Sequence, residues 1–216
     1  MKKTSITFCS GELSLEGILE IPEGSGPFLA VVVCHPHPLY GGSMDNNVVN
    51  SLCDTLTQAS FVSLKFNFRG VGGSEGEFNH GIGEQEDVNA AISFVATIKG
   101  VDIERIGLAG YSAGASFALP VGAKDGRIKA LAAISPPLSM FDFDFLKGCT
   151  KPKLLISGDR DNFNSPTQFL KFCQNLPEPT EYEIIEGVDH FWWSYEFVLA
   201  AKVSAFFART LKREGI

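Results

Sequence analysis

Gly110-Tyr111-Ser112-Ala113-Gly114 joins Ile106–Gly110, an apolar run that reads as a β-strand, to Ala113–Leu119, a small-residue run that reads as an α-helix. The stretch matches G-x-S-x-G, and its meaning comes from that setting. A strand that turns at once into a helix lifts the central residue into a strained, exposed backbone position above the sheet edge. Glycine is needed two residues either side, because a Cβ there would collide with the adjoining strand or helix. The Ala113 amide falls at the helix N-terminus, where free N–H groups and the helix dipole favour an oxyanion. Ser112 is therefore a candidate nucleophile. The plainer reading is a glycine-rich strand–helix turn with Ser112 as N-cap.

Outward from this elbow the chain alternates strands and helices. Thr4–Cys9 and Leu13–Ile21 predict an antiparallel hairpin about Ser10-Gly11, and Phe28–Cys34 is an apolar, β-branched run of the kind buried on both faces. Helical spacing over Asn46–Ala59, Glu84–Ile98, Thr167–Leu176 and Tyr195–Lys212 alternates with strand patterns at Phe61–Phe68, Lys129–Ser135, Leu154–Ser157 and Tyr182–Ile185. Pro120 is expected to end or kink the helix that begins at Ala113. The alternation predicts an α/β fold: one domain over residues 1–216, with a mostly parallel central sheet, an N-terminal antiparallel hairpin and helices on both faces. Only residues 136–150 are available for a cap, so the cap is minimal. Ligands on such sheets sit at the carboxyl ends of the strands.

A serine hydroxyl needs a base, and the four histidines narrow the choice. His35 and His37 follow the strand Phe28–Cys34, His80 lies in a polar loop, and His190 follows the last strand in Gly187-Val188-Asp189-His190-Phe191. The last position suits a Ser…Asp…His chain order, which makes His190 the candidate base. The orienting acid belongs after a strand between the two. In Ser157-Gly158-Asp159-Arg160-Asp161, Asp161 is preferred, while Asp159 beside Gly158 reads as a turn former bonding its own backbone. Asp142 and Asp144 rank lower.

The loop Cys34-His35-Pro36-His37-Pro38-Leu39-Tyr40-Gly41-Gly42-Ser43 occupies the place of a second oxyanion donor. Pro36 and Pro38 carry no N–H, which leaves His37 or Leu39, with His37 preferred. His35 and His37 also form an H-x-H pair, but no third metal ligand stands near them. Arg69-Gly70-Val71-Gly72-Gly73-Ser74-Glu75-Gly76 lacks the Lys-Ser/Thr of a phosphate-binding P-loop and reads as a structural turn.

Taken in order, the His-Pro-His-Pro loop with Gly41-Gly42, the Asn67-Phe68-Arg69-Gly70 turn, the Gly-Tyr-Ser-Ala-Gly elbow, and Gly158-x-x-Asp161 before Asp189-His190-Phe191 resemble the α/β-hydrolase superfamily. Within it the chain is similar to small, nearly lidless hydrolases related to dienelactone hydrolases and to prolyl-oligopeptidase-type catalytic domains. The resemblance implies Ser112, Asp161 and His190 as a catalytic triad, with the amides of Ala113 and His37 as oxyanion hole. Two departures stand out. Dienelactone hydrolases use cysteine where Ser112 stands, and nothing here can form the gating domain of the peptidases. Phe141, Phe143 and Phe145 alternate in the cap segment and either line an acyl pocket or pack that connection onto the sheet. Tyr40, Phe141, Phe163, Phe191 and Trp192 are the expected substrate-binding residues.

Composition agrees with this picture. Hydrophobic residues are 44% and charged residues 20% of the 216, a globular balance. A net charge of −7 argues against a nucleic-acid partner, and no apolar run approaches a membrane span. Five scattered cysteines without a C-x-x-C pair suit a reducing, cytoplasmic setting. The expected activity is hydrolysis of esters or thioesters with small to medium acyl groups through an acyl-enzyme on Ser112. No metal or organic cofactor is needed for it. A small peptidase or amidase, and a non-catalytic binding module retaining the fold, are the alternatives.

Overall fold

Eight strands form one sheet in a computed structural model that describes residues 1–212. In chain order they are β1 (Lys2–Ser10), β2 (Leu13–Ile21), β3 (Phe28–Cys34), β4 (Phe61–Phe66), β5 (Val101–Tyr111), β6 (Ile128–Ile134), β7 (Lys153–Gly158) and β8 (Thr180–Ile185). The spatial order is β1-β2-β4-β3-β5-β6-β7-β8. The β1–β2 and β2–β4 pairs are antiparallel and every other pair is parallel, as the sequence reading anticipates. Five helices cover it: α1 (Asn47–Gln58), α2 (Ile82–Ala96), α3 (Ala113–Lys124), α4 (Pro166–Gln174) and α5 (Glu196–Leu211).

The apolar run of β3 shows why the sheet is covered on both sides. Ala30, Val32 and Cys34 join the core that holds Val88 and Ile92 of α2, Phe117 of α3 and Phe169 of α4. Leu29, Val31 and Val33 point the other way, into the core with Val48 and Leu52 of α1 and Leu199 and Val203 of α5. Two-residue alternation in a strand apolar at every position needs a hydrophobic layer on each face. α1 starts where Asn46 Oδ1 accepts the Val48 N–H at 2.9 Å, leaving Val48, Val49, Leu52 and Leu56 on its buried stripe.

Several boundaries differ from the sequence reading: β5 begins at Val101 rather than Ile106, and α2 at Ile82 rather than Glu84. β4 stops at Phe66 rather than Phe68, because Asn67 Oδ1 accepts the Met44 N–H at 2.7 Å and the Phe68 N–H donates to the His35 ring. Pro120 does not end α3, which continues to Lys124. Tertiary packing overrides propensity there. Gly122 lies so close to the sheet that a Cβ would meet Leu131 at 2.6 Å and Leu108 at 2.7 Å, so burial holds the last turn in place. The Gly70–Gly76 loop is clasped by the opening hairpin. Gly73 N–H donates to Glu16 Oε1 at 2.6 Å and Ser14 N–H to Glu75 Oε2 at 2.8 Å, which puts carboxylates where a phosphate cradle needs open amides. No described helix is long and apolar enough to cross a membrane.

Candidate active site

The carboxyl ends of β5, β7 and β8 deliver three side chains to one place. At the β5–α3 turn Ser112 adopts φ 55° and ψ −126°, a conformation costing about 1–3 kcal/mol for a non-glycine residue. Its N–H donates to Ile134 O of β6 at 2.8 Å and its carbonyl accepts from Ala115 N–H at 2.9 Å. A Cβ on Gly110 would lie 2.5 Å from Ala115 Cα, and one on Gly114 would lie 2.3 Å from His35 O. Both glycines are therefore dictated by close approach of backbone to backbone. Ala113, first residue of α3, contributes one of the orphan amides at that helix's N-terminus.

His190 Nε2 lies 2.9 Å from Ser112 Oγ, and its Nδ1 lies 3.0 and 2.9 Å from the two oxygens of Asp161. An ionised carboxylate only accepts, so Nδ1 carries the proton and Nε2 presents its lone pair to the serine hydroxyl. Asp161 also accepts the Phe163 N–H at 2.9 Å and the Ser157 hydroxyl at 3.3 Å, which fixes the plane of its carboxylate. Tyr111 donates its hydroxyl to His190 O at 2.7 Å. Burial pushes the Tyr111 phenol well above its ordinary value, keeping it a donor. Asp159 does not bond its own turn as expected. Its carboxylate accepts the Gly187 N–H at 2.7 Å, and Gly158 packs so tightly on Val188 O that a Cβ would lie 2.0 Å away. The loops that carry Asp161 and His190 are thereby locked together.

The His-Pro-His-Pro loop divides its histidines. His35 is fully buried, donates from Nδ1 to Pro36 O at 2.6 Å and accepts the Phe68 N–H at Nε2. Both of its nitrogens are committed, leaving none for a metal, and burial lowers its pKa to about 4. His37 lines the same cavity as Ser112 and Ala113. Leu39 N–H is consumed by His37 Nδ1 at 3.2 Å, so of the two candidate donors only His37 retains an open amide.

That cavity has a volume of about 490 Å³, and Tyr40, Phe141, Phe163 and Phe191 stand in its wall. Trp192 does not, which corrects the sequence expectation. Its side chain is fully buried with Ile156, Leu199 and Val203, and Nε1 donates to Ser135 Oγ at 3.0 Å. Asp189 Oδ1 accepts the N–H groups of both Phe191 and Trp192, and this turn sends the two side chains to opposite sides. Of the three alternating phenylalanines, Phe141 reaches the cavity, Phe143 is buried in the core and Phe145 packs against that core. Residues 136–150 are tied down by Asn164, which donates to Pro136 O at 2.6 Å and accepts the Leu138 N–H at 3.0 Å. A larger groove of about 910 Å³ lies beyond Met140 and Phe141 but holds none of the three delivered side chains. Sequence reasoning missed Tyr111, although it sits inside the elbow pattern, and missed the wall residues Pro137 and Met140.

Residues 30–196 match the family model described as the alpha/beta hydrolase domain. The chain belongs to the alpha/beta hydrolase family. An uncharacterized protein of Rickettsia prowazekii is 35% identical over 169 residues, covering 74% of this chain and 71% of that one. Among solved structures, this alpha/beta hydrolase is similar to an a/b serine hydrolase without lid from Xanthomonas campestris. That protein is 29% identical with a TM-score of 0.86, covering 99% of this chain and 97% of that chain. It is also similar to an alpha-beta serine hydrolase homologue from Coxiella burnetii, at 30% identity and a TM-score of 0.85, covering 98% and 99% of the two chains.

Proposed function

We propose that this alpha/beta hydrolase is a serine esterase or thioesterase acting on small to medium acyl groups, with Ser112, His190 and Asp161 as its catalytic triad. The observation that carries the reading is the unbroken line from Ser112 Oγ through both nitrogens of His190 to Asp161. His190 Nε2 takes the hydroxyl proton as Ser112 Oγ attacks the acyl carbon. The imidazolium that forms is held by Asp161, and the oxyanion is held by the amides of Ala113 and His37. Collapse expels the alcohol or thiol, which receives the proton from His190, and leaves an acyl-Ser112. Water, deprotonated by the same nitrogen, then hydrolyses that ester and restores the serine. The aromatic cavity wall of Tyr40, Phe141, Phe163 and Phe191 suits an uncharged acyl chain.

Labelling with a fluorophosphonate probe and mapping the adduct by mass spectrometry tests the proposal. A stoichiometric adduct at Ser112, absent in Ser112→Ala, with turnover of p-nitrophenyl esters or acyl thioesters, is the expected result. Amide turnover at rates matching esters would make the protein an amidase. A folded protein that neither labels nor turns over would make it a binding module.

A further inference from the structure

The loop at the end of β3 is held more elaborately than a cavity wall requires, and its anchor is a side chain that no step above uses. His37 O accepts two amides, Tyr40 N–H at 3.1 Å and Gly42 N–H at 3.0 Å. Gly42 is pressed against the same peptides, since a Cβ there would lie 2.2 Å from Pro36 O and 2.7 Å from His37 O. The His37 ring accepts the Leu39 N–H at Nδ1 and caps the single helical turn Pro38–Tyr40. Its faces are wedged among Tyr40, Phe78 and Phe117, at centroid distances of 4.7, 4.9 and 6.3 Å. Pro36 and Pro38 fix the backbone on either side. With carbonyl and ring both engaged, the one His37 backbone group without a described partner is its N–H, beside the cavity that Ser112 and Ala113 share.

We propose that the His37 imidazole is a positioning residue, which by accepting the Leu39 N–H holds its own backbone N–H at the place of the second oxyanion donor. The inference rests on the serine-hydrolase reading above. It has a chemical consequence: Nδ1 can accept only while it bears no proton, so the ring must be neutral with its proton on Nε2. Protonation would set an N–H of the ring against the N–H of Leu39, break the cap and release the loop. The surroundings hold the ring neutral. Burial lowers its pKa, while the carboxylate of Glu84 on α2 opposes that effect more weakly. Glu84 is itself occupied by the Asn79 and Gly81 amides. Of the other titratable groups nearby, His35 and Tyr40 lie in the same loop, His190 lines the same cavity, and the His80 ring packs on Phe78.

Two variants separate a cap from a filler. His37→Asn keeps a side-chain acceptor that reaches the amide two residues on, as Asn46 does for Val48 at the start of α1, and it cannot be protonated. His37→Phe keeps a ring among Tyr40, Phe78 and Phe117 but accepts nothing. With a p-nitrophenyl ester, His37→Phe is expected to lose about 10²-fold in kcat with KM little changed, the effect of a displaced oxyanion donor. His37→Asn is expected to recover about tenfold or more of the kcat that His37→Phe loses. The acid limb of the kcat profile is expected to be steeper in protons for wild type, where the His37 ring can be protonated, than for His37→Asn. Equal kcat in wild type and His37→Phe, or a His37→Asn variant as poor as His37→Phe, overturns the inference. So does an acid limb identical in wild type and His37→Asn. If His37→Phe fails to fold, His37→Asn and its pH profile decide alone. A wild type that fails to label at Ser112 removes the hydrolase reading itself, a result readable before either variant is made.

Discussion

The floor and the rim of the cavity are built on different principles. On the floor, Ser112, Asp161 and His190 are each positioned by hydrogen bonds. Ser112 is held by Ile134 O and Ala115 N–H, Asp161 by Phe163 N–H, and the His190 backbone by the Tyr111 hydroxyl. On the rim, Tyr40 is 80% exposed and Phe191 53% exposed; their backbones are hydrogen-bonded, but their side chains are placed by ring contacts with His37 and His190. The difference teaches where tolerance lies. The floor is held by hydrogen bonds between segments, whereas the rim side chains stand toward solvent, so substitutions are expected to be better tolerated on the rim. Neighbouring residues fall on opposite sides of this divide, for Phe191 belongs to the rim and Trp192 to the core under the floor.

Substitutions sharpen the contrast. Ser112→Ala should lower kcat by about 10⁴- to 10⁶-fold while the protein stays folded, measured by ester turnover and circular dichroism. A loss of only tenfold would mean that the nucleophile lies elsewhere. Asp161→Asn should cost about 10⁴-fold in kcat near neutrality, because an amide can donate to Nδ1 and stabilise the wrong tautomer of His190. Asp159→Asn should leave kcat close to wild type.

The Phe191 and Trp192 pair tests the divide directly. Trp192→Ala should destabilise the fold by about 3–5 kcal/mol in chemical denaturation, since it empties a fully buried site and orphans Ser135 Oγ. Phe191→Ala should leave stability nearly unchanged and raise KM for aromatic esters. Comparable destabilisation by both would erase the distinction between rim and floor.

Acid should also destabilise the fold through the buried His35. His35 has an ordinary value of 6.5 and about 4 in the folded chain, so below pH 6.5 the unfolded chain takes up a proton that the folded one refuses. Stability from this group is complete above pH 6.5 and falls as the pH drops toward 4, by up to roughly 3 kcal/mol. Denaturant titrations across that window should show a pH slope that His35→Gln reduces. Tyr111→Phe should cost about 1–3 kcal/mol of stability from leaving His190 O unpaired, with a lower kcat beside it.

Much of the fold was readable from local pattern. The run Phe28–Cys34 is apolar at every position and rich in β-branched residues, the pattern of a strand with a layer on each face. The elbow glycines at 110 and 114 were readable because close backbone approach excludes every other residue. Trp192 was not readable, since an aromatic residue two places after His190 looks alike whether the turn sends it to the cavity or to the core. Pro120 misled because helix propensity is local, whereas the close packing of Gly122 on Leu131 and Leu108 is not.

The sequence by itself determined the alternation of strands and helices, the chain order of serine, acid and histidine, and the glycines at the elbow, because periodicity and steric exclusion act over a few residues. Only the tertiary structure decided that Asp161 rather than Asp159 meets His190, that His37 rather than Leu39 keeps an open amide, and that Trp192 lies beneath the site. Those outcomes depend on hydrogen bonds and packing between segments far apart in the chain, which no local pattern encodes.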